Sequence, residues 1–394
     1  MLSENTKVAR VEVVDALRGF AVMAILLVHC VEHFIYPVYP EPSSQPGWLN
    51  ILDQGTFSVI FTLFAGKSYA IFALLFGFTF YIQYTNQKNK GKDFAWRFFW
   101  RMILLAGFGA INSLMYPAGD VLLLFSIVGL VLILVRKWSD KAILIFAVIM
   151  LLQPVEWFHY VMSLINPEYT LPDLKVGAMY AEVARNTKEG NWGDFLRMNI
   201  TTGQKASLLW AVGAGRYVQT AGLFMIGYLL GRKQLFVSSD YSRKFWQRTL
   251  IIAAIAFAPL YQLNTEIMGD NAIINGTVGV AFDMWQKFAF TAVLVSSFVL
   301  LYQSDKFKQL TSNLRFYGKM SLTNYITQSI IGALIFFPIG LNLAPHSGYT
   351  LSLLIGLVIL VVQVMFCKWW LKSHKQGPLE YIWHKLTWIN IWKK

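Results

Sequence analysis

Ionisable side chains lie inside the first apolar stretch of this sequence, where charged groups are rare. The stretch contains Asp15, Arg18, His29, Glu32 and His33. A charged side chain at bilayer depth is costly, so each such residue is a functional candidate by default. Imidazole can act as a general base near neutral pH, and guanidinium can bind phosphate or carboxylate. This stretch could therefore bind an anion and move a proton.

The spacing of Arg18 and His29 predicts that both lie on one face of a helix. At 100° per residue their directions differ by about 20°, and they lie roughly 16 Å apart along the axis. His33 and Glu32 follow about one turn later. Two plainer interpretations stay open. Asp15 and Arg18 could form only an interfacial ion pair, and His29 could be an interior histidine without a catalytic role.

Other apolar stretches supply polar groups at comparable depth. Lys67, Arg216 and Gln328 each lie roughly 15 Å from the nearest predicted membrane edge, and with His29 they form a predicted central polar layer. Arg216 has no carboxylate in its own stretch. An arginine at this depth needs a partner such as Glu156 or an anionic ligand.

A secondary polar cluster is predicted around the layer. Its members are Glu32, His33, Asn112, Asp120, Glu156 and His159. The spacing of His29, Glu32 and His33 is weak evidence for a metal, and no metal is expected.

The composition identifies the environment of these residues. Of 394 residues, 56% are hydrophobic and only 14% are charged, against roughly 25% charged in a soluble domain. The second apolar window contains Gly66 and Lys67 and could be broken there. We expect an all-α polytopic membrane bundle of about ten transmembrane helices, with residues 1–394 as a single membrane domain. The windows lie at about 14–36, 56–84, 97–116, 119–136, 141–163, 206–231, 245–263, 279–302, 318–342 and 349–372.

The net charge of +13 indicates either nucleic-acid binding or membrane topology. Most of the 34 basic residues fall on alternate connections and on the two chain ends. Basic residues are retained on the cytoplasmic side, so both termini should be cytoplasmic in a cell inner (plasma) membrane. Segment 164–205 is then an external loop or cap, and 373–394 a cytoplasmic tail. No nucleic-acid partner is expected, and the chain could form a homo-oligomer.

Several motifs resemble known families. The run Asp15-Ala-Leu-Arg18-Gly19-Phe-Ala, with His29 eleven positions after the arginine, resembles the first helix of the membrane acyltransferase superfamily. That superfamily includes the acyltransferase-three enzymes and heparan-alpha-glucosaminide N-acetyltransferase. Nearly the whole chain resembles the YeiB-type family, a domain of unknown function found in multi-pass bacterial membrane proteins. The motifs of this second likeness are "LLFGFTFY" from Leu74, "AGDVLLLFSIVG" from Ala118, "GKMSLTNYITQS" from Gly318 and "GPLEYIWHKLTW" from Gly377.

This sequence departs from the YeiB-type pattern at two places. Such proteins often carry asparagine at the position of His29 and histidine near Asn112.

The leading hypothesis is acyl transfer from cytoplasmic acyl-CoA. In this hypothesis Arg18 would bind phosphates of the donor. His29 would be the general base for a small-molecule or glycan acceptor or a lipid headgroup. Gly19 would let the donor arm approach the helix, and Lys67, Arg216 or Gln328 would stabilise the oxyanion. Asp15 and the motif residue Asn324 complete the predicted substrate-binding set.

Two other functions stay open. A transporter or flippase for an anionic solute or lipid would explain Lys67 and Arg216 without chemistry. A non-catalytic membrane protein would use the same polar groups only to hold its helices together.

Overall fold

The computed structural model describes residues 11–117 and 119–389, and within these ranges the chain is helical without a β-strand. The predicted all-α class is confirmed. Predictions that concern residues 1–10, Ala118 or residues 390–394, including the last part of the tail, lie outside the described residues.

The first half of the chain forms helices α1 to α10. Their bounds are α1 Glu12–Glu32, α2 Gly47–Phe64, α3 Lys67–Lys88, α4 Ala95–Leu114, α5 Val121–Val128, α6 Leu130–Val135, α7 Asp140–Leu151, α8 Pro154–Ile165, α9 Val176–Glu189 and α10 Trp192–Met198. A short 3-10 turn at Pro42–Ser44 precedes α2.

The second half forms helices α11 to α20. Their bounds are α11 Gln204–Gly213, α12 Arg216–Arg232, α13 Asp240–Ile267, α14 Ala272–Ile274, α15 Val280–Leu301, α16 Asp305–Leu310, α17 Ser312–Lys319, α18 Ser321–Phe336, α19 Tyr349–Trp370 and α20 Pro378–Thr387. Single π-turns at Asn199–Gly203 and Asn275–Gly279 precede α11 and α15, and a 3-10 turn at Ala344–His346 precedes α19.

The outside of the bundle is apolar along the middle of its helices. Ile255 on α13 is 71% exposed and Val358 on α19 is 64% exposed. Five helical segments among the described residues are long and apolar enough to cross a membrane, or six if the bent pair α7 and α8 forms one span. Both features are typical of a helical membrane protein. The number of crossings stays a prediction.

Each apolar window of the sequence coincides with one helix or with two helices in succession. The break suggested by Gly66 and Lys67 is present between α2 and α3, and a second one separates α11 from α12. At both breaks a glycine has a left-handed backbone, with φ of 75° at Gly66 and 62° at Gly215. Only glycine adopts this conformation without strain. The next residue, Lys67 or Arg216, begins the following helix.

Helix α1 runs through the middle of the bundle, and α13 lies at its edge. Leu17, Ala21 and Val22 on α1 are fully buried, and α1 contacts α2, α3, α17, α18 and α19. Helix α13 packs mainly on α15. Side chains on α1 are therefore surrounded by protein, which is where a polar group can be tolerated.

Basic residues gather where α1 begins and where α12 and α19 end. We call this the basic end of the bundle, defined by Arg97, Arg136, Arg232 and Arg315. Arg315 pairs with Glu12, Arg136 with Asp93, and Arg232 with Asp140. The opposite end, where α1 finishes, is the far end. Segment 164–205 packs there through α9 and α10, with the fully buried Phe195 against Phe337.

The carboxy-terminal segment folds back onto the bundle as α20. The Trp100 indole donates to the Leu386 carbonyl at 3.1 Å, and Arg97 donates to the Thr387 carbonyl at 2.8 Å. The predicted tail 373–394 is therefore packed against α4 up to residue 389, and it is not a free extension in that range.

The contact between α3 and α12 depends on two glycines. A Cβ on Gly227 would overlap the Leu74 carbonyl, and a Cβ on Gly77 would overlap the Phe224 carbonyl. We expect Gly227→Val to destabilise the fold by about 3 kcal/mol, because backbone would have to separate. Gly107→Val is the matched control, since Gly107 has open space around it. Thermal unfolding in detergent measures the difference, and equal midpoints would contradict this packing.

Candidate functional site

A cavity of about 260 Å³ opens into the basic end, between α1, α3, α4, α5, α17, α18 and α20. We call it the inner chamber. Its apolar wall consists of phenylalanines, and its polar wall carries mostly cations. The phenylalanines are Phe72, Phe76, Phe80, Phe98 and Phe125, and the charged or titratable groups are Arg18, Arg101, Lys319, His384 and Glu380. The inner chamber can hold a thin apolar group behind a basic opening.

A second cavity of about 500 Å³ adjoins the inner chamber and shares Gln83, Arg101 and His384 with it. We call it the outer chamber. It adds Lys90 and Lys92, and no carboxylate lines it among the described residues. Phosphate groups bind in such surroundings through charge-assisted hydrogen bonds. The two chambers together suit a long molecule with a polyanionic head and an uncharged arm.

The sequence left two interpretations of Arg18 open, an ion pair with Asp15 and a place in a ligand site. Its guanidinium donates to Asp15 Oδ1 at 3.0 Å and to Thr79 Oγ1 at 3.0 Å. The i, i+3 ion pair is thus present, and the same side chain also lines the inner chamber. Asp15 is 4% exposed, so it holds Arg18 in place from behind.

Gly19 packs against α17 and is not part of the wall of either chamber. A Cβ on Gly19 would overlap the Leu314 carbonyl oxygen. This glycine therefore permits close packing of α1 and α17, and its predicted contact with a donor arm has no space at that position.

Helix α20 forms one wall of both chambers and is fixed by Glu380. The Glu380 carboxylate accepts from the Leu322 and Thr323 N–H groups at 2.7 and 3.1 Å and from the Thr323 hydroxyl at 2.6 Å. It thus caps the start of α18 from another helix. Burial raises the pKa of Glu380, and these hydrogen bonds oppose only part of that shift.

Arg101 lies where the two chambers meet. Its guanidinium lies 3.6 Å from the centre of the Trp383 ring and donates to Thr387 Oγ1 at 3.3 Å. Partial burial and the nearby Arg101 charge lower the pKa of His384 below its ordinary range. This shift favours the uncharged imidazole of His384 near neutral pH, beside the cationic guanidinium of Arg101.

His29 lies beyond the inner chamber, on the far-end side of Tyr325. Tyr325 lines the inner chamber, and its ring centre is 6.1 Å from that of His29. The Tyr116 ring is 4.9 Å from His29, and the His33 ring is 5.4 Å away. His29 is 7% exposed, and neither its Nδ1 nor the Tyr116 hydroxyl has a hydrogen-bond partner in the described part of the chain. Both atoms are buried, and the described part of the chain does not satisfy their hydrogen-bonding capacity.

Asp120 connects Tyr325 to the start of α5. One carboxylate oxygen accepts from Asn112 Nδ2 at 2.8 Å and from the Tyr325 hydroxyl at 3.1 Å. The other accepts from the Leu122 and Leu123 N–H groups. Asp120 is fully buried, so this network fixes the ring that separates the inner chamber from His29. The role of Tyr325 was missed from the sequence, although it lies in a quoted motif.

Three cations meet at the break between α2 and α3. Arg216 Nη2 lies 3.3 Å, and Lys287 Cδ 2.9 Å, from the position that a Cβ on Gly66 would take. Lys67 follows Gly66 directly and is 5% exposed. We call these residues the cation cluster. Lys287 is paired with Asp283, and both residues were missed because their apolar window held one charge of each sign.

Arg216 has no carboxylate partner among the residues that the structure describes. It donates to Gln219 Oε1 at 2.9 Å and faces the Tyr69 and Trp210 rings. Glu156 is the predicted alternative partner of Arg216. It lies beside Gly215, and its Oε1 is 3.0 Å from the position that a Cβ on Gly215 would take. Of the two expectations for Arg216, the pairing with Glu156 is therefore not observed.

Comparison with known proteins gives one family match. Residues 230–390 match the family described as "Protein of unknown function (DUF418)". We call residues 230–390 the DUF418 region, after the family that they match. This region supplies Lys287, Lys319, Tyr325, Glu380 and His384, while the preceding part supplies Arg18, His29, Lys67 and Arg216. The chambers and the cation cluster are both formed between the two parts.

Similar proteins cover almost the whole chain. An uncharacterized protein YxaH of Bacillus subtilis (strain 168) is 25% identical, with 97% of this chain and 95% of the relative aligned. An uncharacterized protein YeiB of Escherichia coli (strain K12) is also 25% identical, with 95% of each chain aligned. The resemblance of the DUF418 region to YeiB-type proteins is confirmed. The likeness of α1 to the acyltransferase superfamily stays a prediction. No solved structure matches the chain.

Two predicted substrate-binding residues of the DUF418 region lie in a helix contact away from both chambers. Gln328 donates to the Tyr317 hydroxyl at 2.7 Å, and Asn324 donates to the Tyr317 carbonyl at 2.9 Å. Gln363 joins them from α19 through the Asn324 carbonyl. These bonds connect α17, α18 and α19, and neither amide touches the cation cluster.

The rest of the secondary polar cluster divides between two places. Glu32 and His33 contact each other at 3.4 Å beside His29. His159 pairs instead with the Tyr169 hydroxyl. Among residues 11–117 and 119–389, no three histidine, cysteine, aspartate or glutamate side chains are placed to hold a metal ion.

Proposed function

We propose that the chain is a membrane acyltransferase that moves an acyl group, in the simplest case acetyl, from acyl-CoA to a cell-envelope glycan or lipid. The observation that supports it is the pair of adjoining chambers, which run from the basic outer chamber past Arg18 to Tyr325, the ring next to His29. Acyl-CoA has a polyanionic head and a long uncharged arm with the acyl group at its tip. The head suits Lys90, Lys92 and Arg101, and the arm suits the phenylalanine wall.

The orientation proposed for the chain follows from the donor. Acyl-CoA is cytoplasmic, so the basic end faces the cytoplasm and the chain ends lie on that side. This agrees with ten crossings of an inner (plasma) membrane and with retention of basic residues in the cytoplasm. Segment 164–205 then covers the external face, from which the acceptor approaches His29.

The proposed reaction is a direct transfer at His29. The imidazole takes the proton of an acceptor hydroxyl or amine, whose oxygen or nitrogen forms a bond to the thioester carbonyl carbon. The C–S bond then breaks, and the CoA thiolate leaves with the proton from the imidazolium. The unpartnered Nδ1 of His29 and hydroxyl of Tyr116 are available to the reacting groups. The donor arm reaches them beside the Tyr325 ring.

Acetyl-CoA-dependent labelling of envelope material tests this function. Membrane vesicles that contain the chain should incorporate radiolabelled acetyl groups, and vesicles with His29→Ala or Arg18→Ala should not. Unchanged labelling in both variants would remove the catalytic assignment, provided that both proteins are present at wild-type amounts.

The outer chamber also predicts a pH dependence of donor binding. An anion near His384 favours its charged form, so protonation of this neutral imidazole should strengthen binding as the pH falls. The ratio of wild-type to His384→Gln affinity for CoA should rise about threefold between pH 7.5 and 5.5. Protonation of CoA itself changes both affinities equally, so it does not change their ratio. A ratio that is constant with pH would place His384 away from the donor phosphates.

Transport of an anionic solute is the second candidate, and the two helix breaks favour it. Discontinuous helices whose first turns meet an anion are typical of secondary transporters. Flux of an anion into liposomes without acyl-CoA, undiminished by His29→Ala, would support transport over acyl transfer.

A further inference from the structure

We propose that the cation cluster is a binding site for an oxyanion, either a carboxylate or a phosphodiester. Lys67, Arg216 and Lys287 form it at the start of α3. The site differs from the two chambers at the basic end, because none of these three residues lines either chamber.

The positions of the three cations come from three different helices. Lys67 begins α3, Arg216 begins α12, and Lys287 lies on α15. The Arg216 guanidinium and the Lys287 stem both lie against Gly66, within van der Waals distance of its Cβ position. Like charges repel, so such a grouping is costly unless an anion lies among them. A purely structural contact would not need three cations.

The carboxylates near the cluster do not compensate it fully. Asp283 Oδ2 accepts from Lys287 Nζ at 2.5 Å, and Glu156 lies beside Gly215. Neither pairs with Arg216 or Lys67 in the described part of the chain. The charge of Glu32 also acts on Arg216 and Lys287, but the ion-pair contact of its carboxylate is with His33. An oxyanion of a ligand would therefore supply the partner that Arg216 and Lys67 lack among the described residues.

The start of α3 adds hydrogen-bond donors to this charge. Gly66 precedes the helix and provides no side-chain cap, and the first intrahelical bond runs from the Ala70 N–H to the Gly66 carbonyl. The N–H groups of the first turn are thus available, and the helix dipole favours an anion there.

A buried and unpartnered cation is the second, independent indication of a ligand. Lys67 is 5% exposed. The charge of Asp283 acts on it, but the ion pair of Asp283 is with Lys287, and no salt bridge among residues 11–117 and 119–389 includes Lys67. Its recorded contact is the Phe290 ring at 5.8 Å. A buried ammonium in these surroundings is stabilised when an anion binds beside it.

The occupant is the negatively charged group of the acceptor, and this last step alone rests on the proposed acyl transfer. An acceptor held by its oxyanion at the cation cluster would present a hydroxyl or amine elsewhere along its length to His29. A lipid headgroup and a soluble acidic sugar share this chemistry, and experiment separates them.

Binding to the purified full-length protein in an uncharged detergent tests the site. The ligands are dihexanoyl phosphatidylglycerol as a lipid phosphodiester, glucuronate as a soluble carboxylate, and glucose as the uncharged control. The unfolding midpoint is measured against ligand concentration for the wild type, Lys67→Gln and Arg216→Gln. Lys205→Gln, an exposed lysine on α11, is the matched control.

We expect at least one anion, and not glucose, to raise the midpoint of the wild type and of Lys205→Gln. Lys67→Gln should bind that anion about tenfold more weakly. Without ligand its midpoint should equal or exceed that of the wild type, because an unpartnered buried charge has been removed. Its response thus stays informative even if Arg216→Gln does not fold. Saturation by the phosphodiester alone indicates a lipid acceptor, and saturation by glucuronate alone a soluble one.

The proposal is overturned if neither anion acts beyond glucose, or if Lys67→Gln binds as tightly as the wild type. Labelling from acetyl-CoA is measured separately. Anion binding without labelling would contradict the acyltransferase proposal and support the oxyanion site. Labelling without anion binding would support the acyltransferase proposal and contradict the oxyanion site.

Discussion

His29→Gln should lower the rate of acyl transfer about 10²- to 10⁴-fold, which is the usual contribution of a general base. Glutamine keeps the polarity of the position but cannot accept a proton near neutral pH. His29 lies beyond Tyr325 and lines neither chamber, so the affinity for CoA should stay within about twofold of the wild-type value. Transfer rate and CoA affinity are measured on the same purified protein in vesicles.

The matched control is His346→Gln. His346 is an exposed histidine in the 3-10 turn before α19, and its replacement should leave the rate unchanged. A His29→Gln protein that transfers at the wild-type rate would show that His29 is a packed interior histidine. A loss of CoA affinity equal to the loss of rate would show instead that the substitution distorts the inner chamber.

Asp120→Ala should have the largest effect on stability, about 4 kcal/mol of unfolding free energy. The substitution leaves four donors without their acceptor in a fully buried position, from Asn112, Tyr325, Leu122 and Leu123. Each buried group left unsatisfied costs about 1–3 kcal/mol, and the costs are not fully additive. The variant should also lose acyl transfer, because Tyr325 is no longer held beside His29.

Asp120→Asn separates the two effects. The amide oxygen can still accept from part of the network, so this variant should be more stable than the alanine variant. Asp270→Ala, an exposed aspartate between α13 and α14, is the control for removing a carboxylate. Thermal unfolding in detergent compares the four proteins. If Asp120→Ala unfolds at the same temperature as Asp270→Ala, Asp120 does not hold Tyr325 to the start of α5.

The sequence predicted the helices well because membrane helices are defined by local apolarity. Each apolar window became a helix or two helices in succession, and even the break at Gly66 and Lys67 could be identified from a charge in an apolar run. The common face of Arg18 and His29 also follows from helix geometry alone. These features need no knowledge of neighbouring helices.

The groups that require packing between distant helices could not be predicted. Lys287 joins Lys67 and Arg216 only because α15, α3 and α12 meet at Gly66. Conversely, Gln328 shares a predicted depth with them but is directed into the contact of α17 and α19. Depth along a helix is a local property, whereas rotation about its axis is set by the whole bundle.

The role of α20 was also outside local prediction. The segment from Gly377 carries a quoted motif and is predicted as tail because it follows the last apolar window, which ends at about residue 372. In the structure, Glu380 connects it to the start of α18, and Trp383 and His384 become walls of the inner chamber. A charged group in a tail gives no sign of a partner about sixty residues away in the chain.

The most direct measurement is an experimental structure of the full-length protein with acetyl-CoA bound. The account predicts that the phosphates lie beside Lys90, Lys92 and Arg101 in the outer chamber, with the uncharged arm in the inner chamber and the acetyl group next to Tyr325. Arg101→Gln should lose this density, while Lys244→Gln, an exposed lysine of α13 at the basic end, should keep it. Acetyl-CoA bound elsewhere, or two empty chambers at saturating acetyl-CoA, would contradict the account.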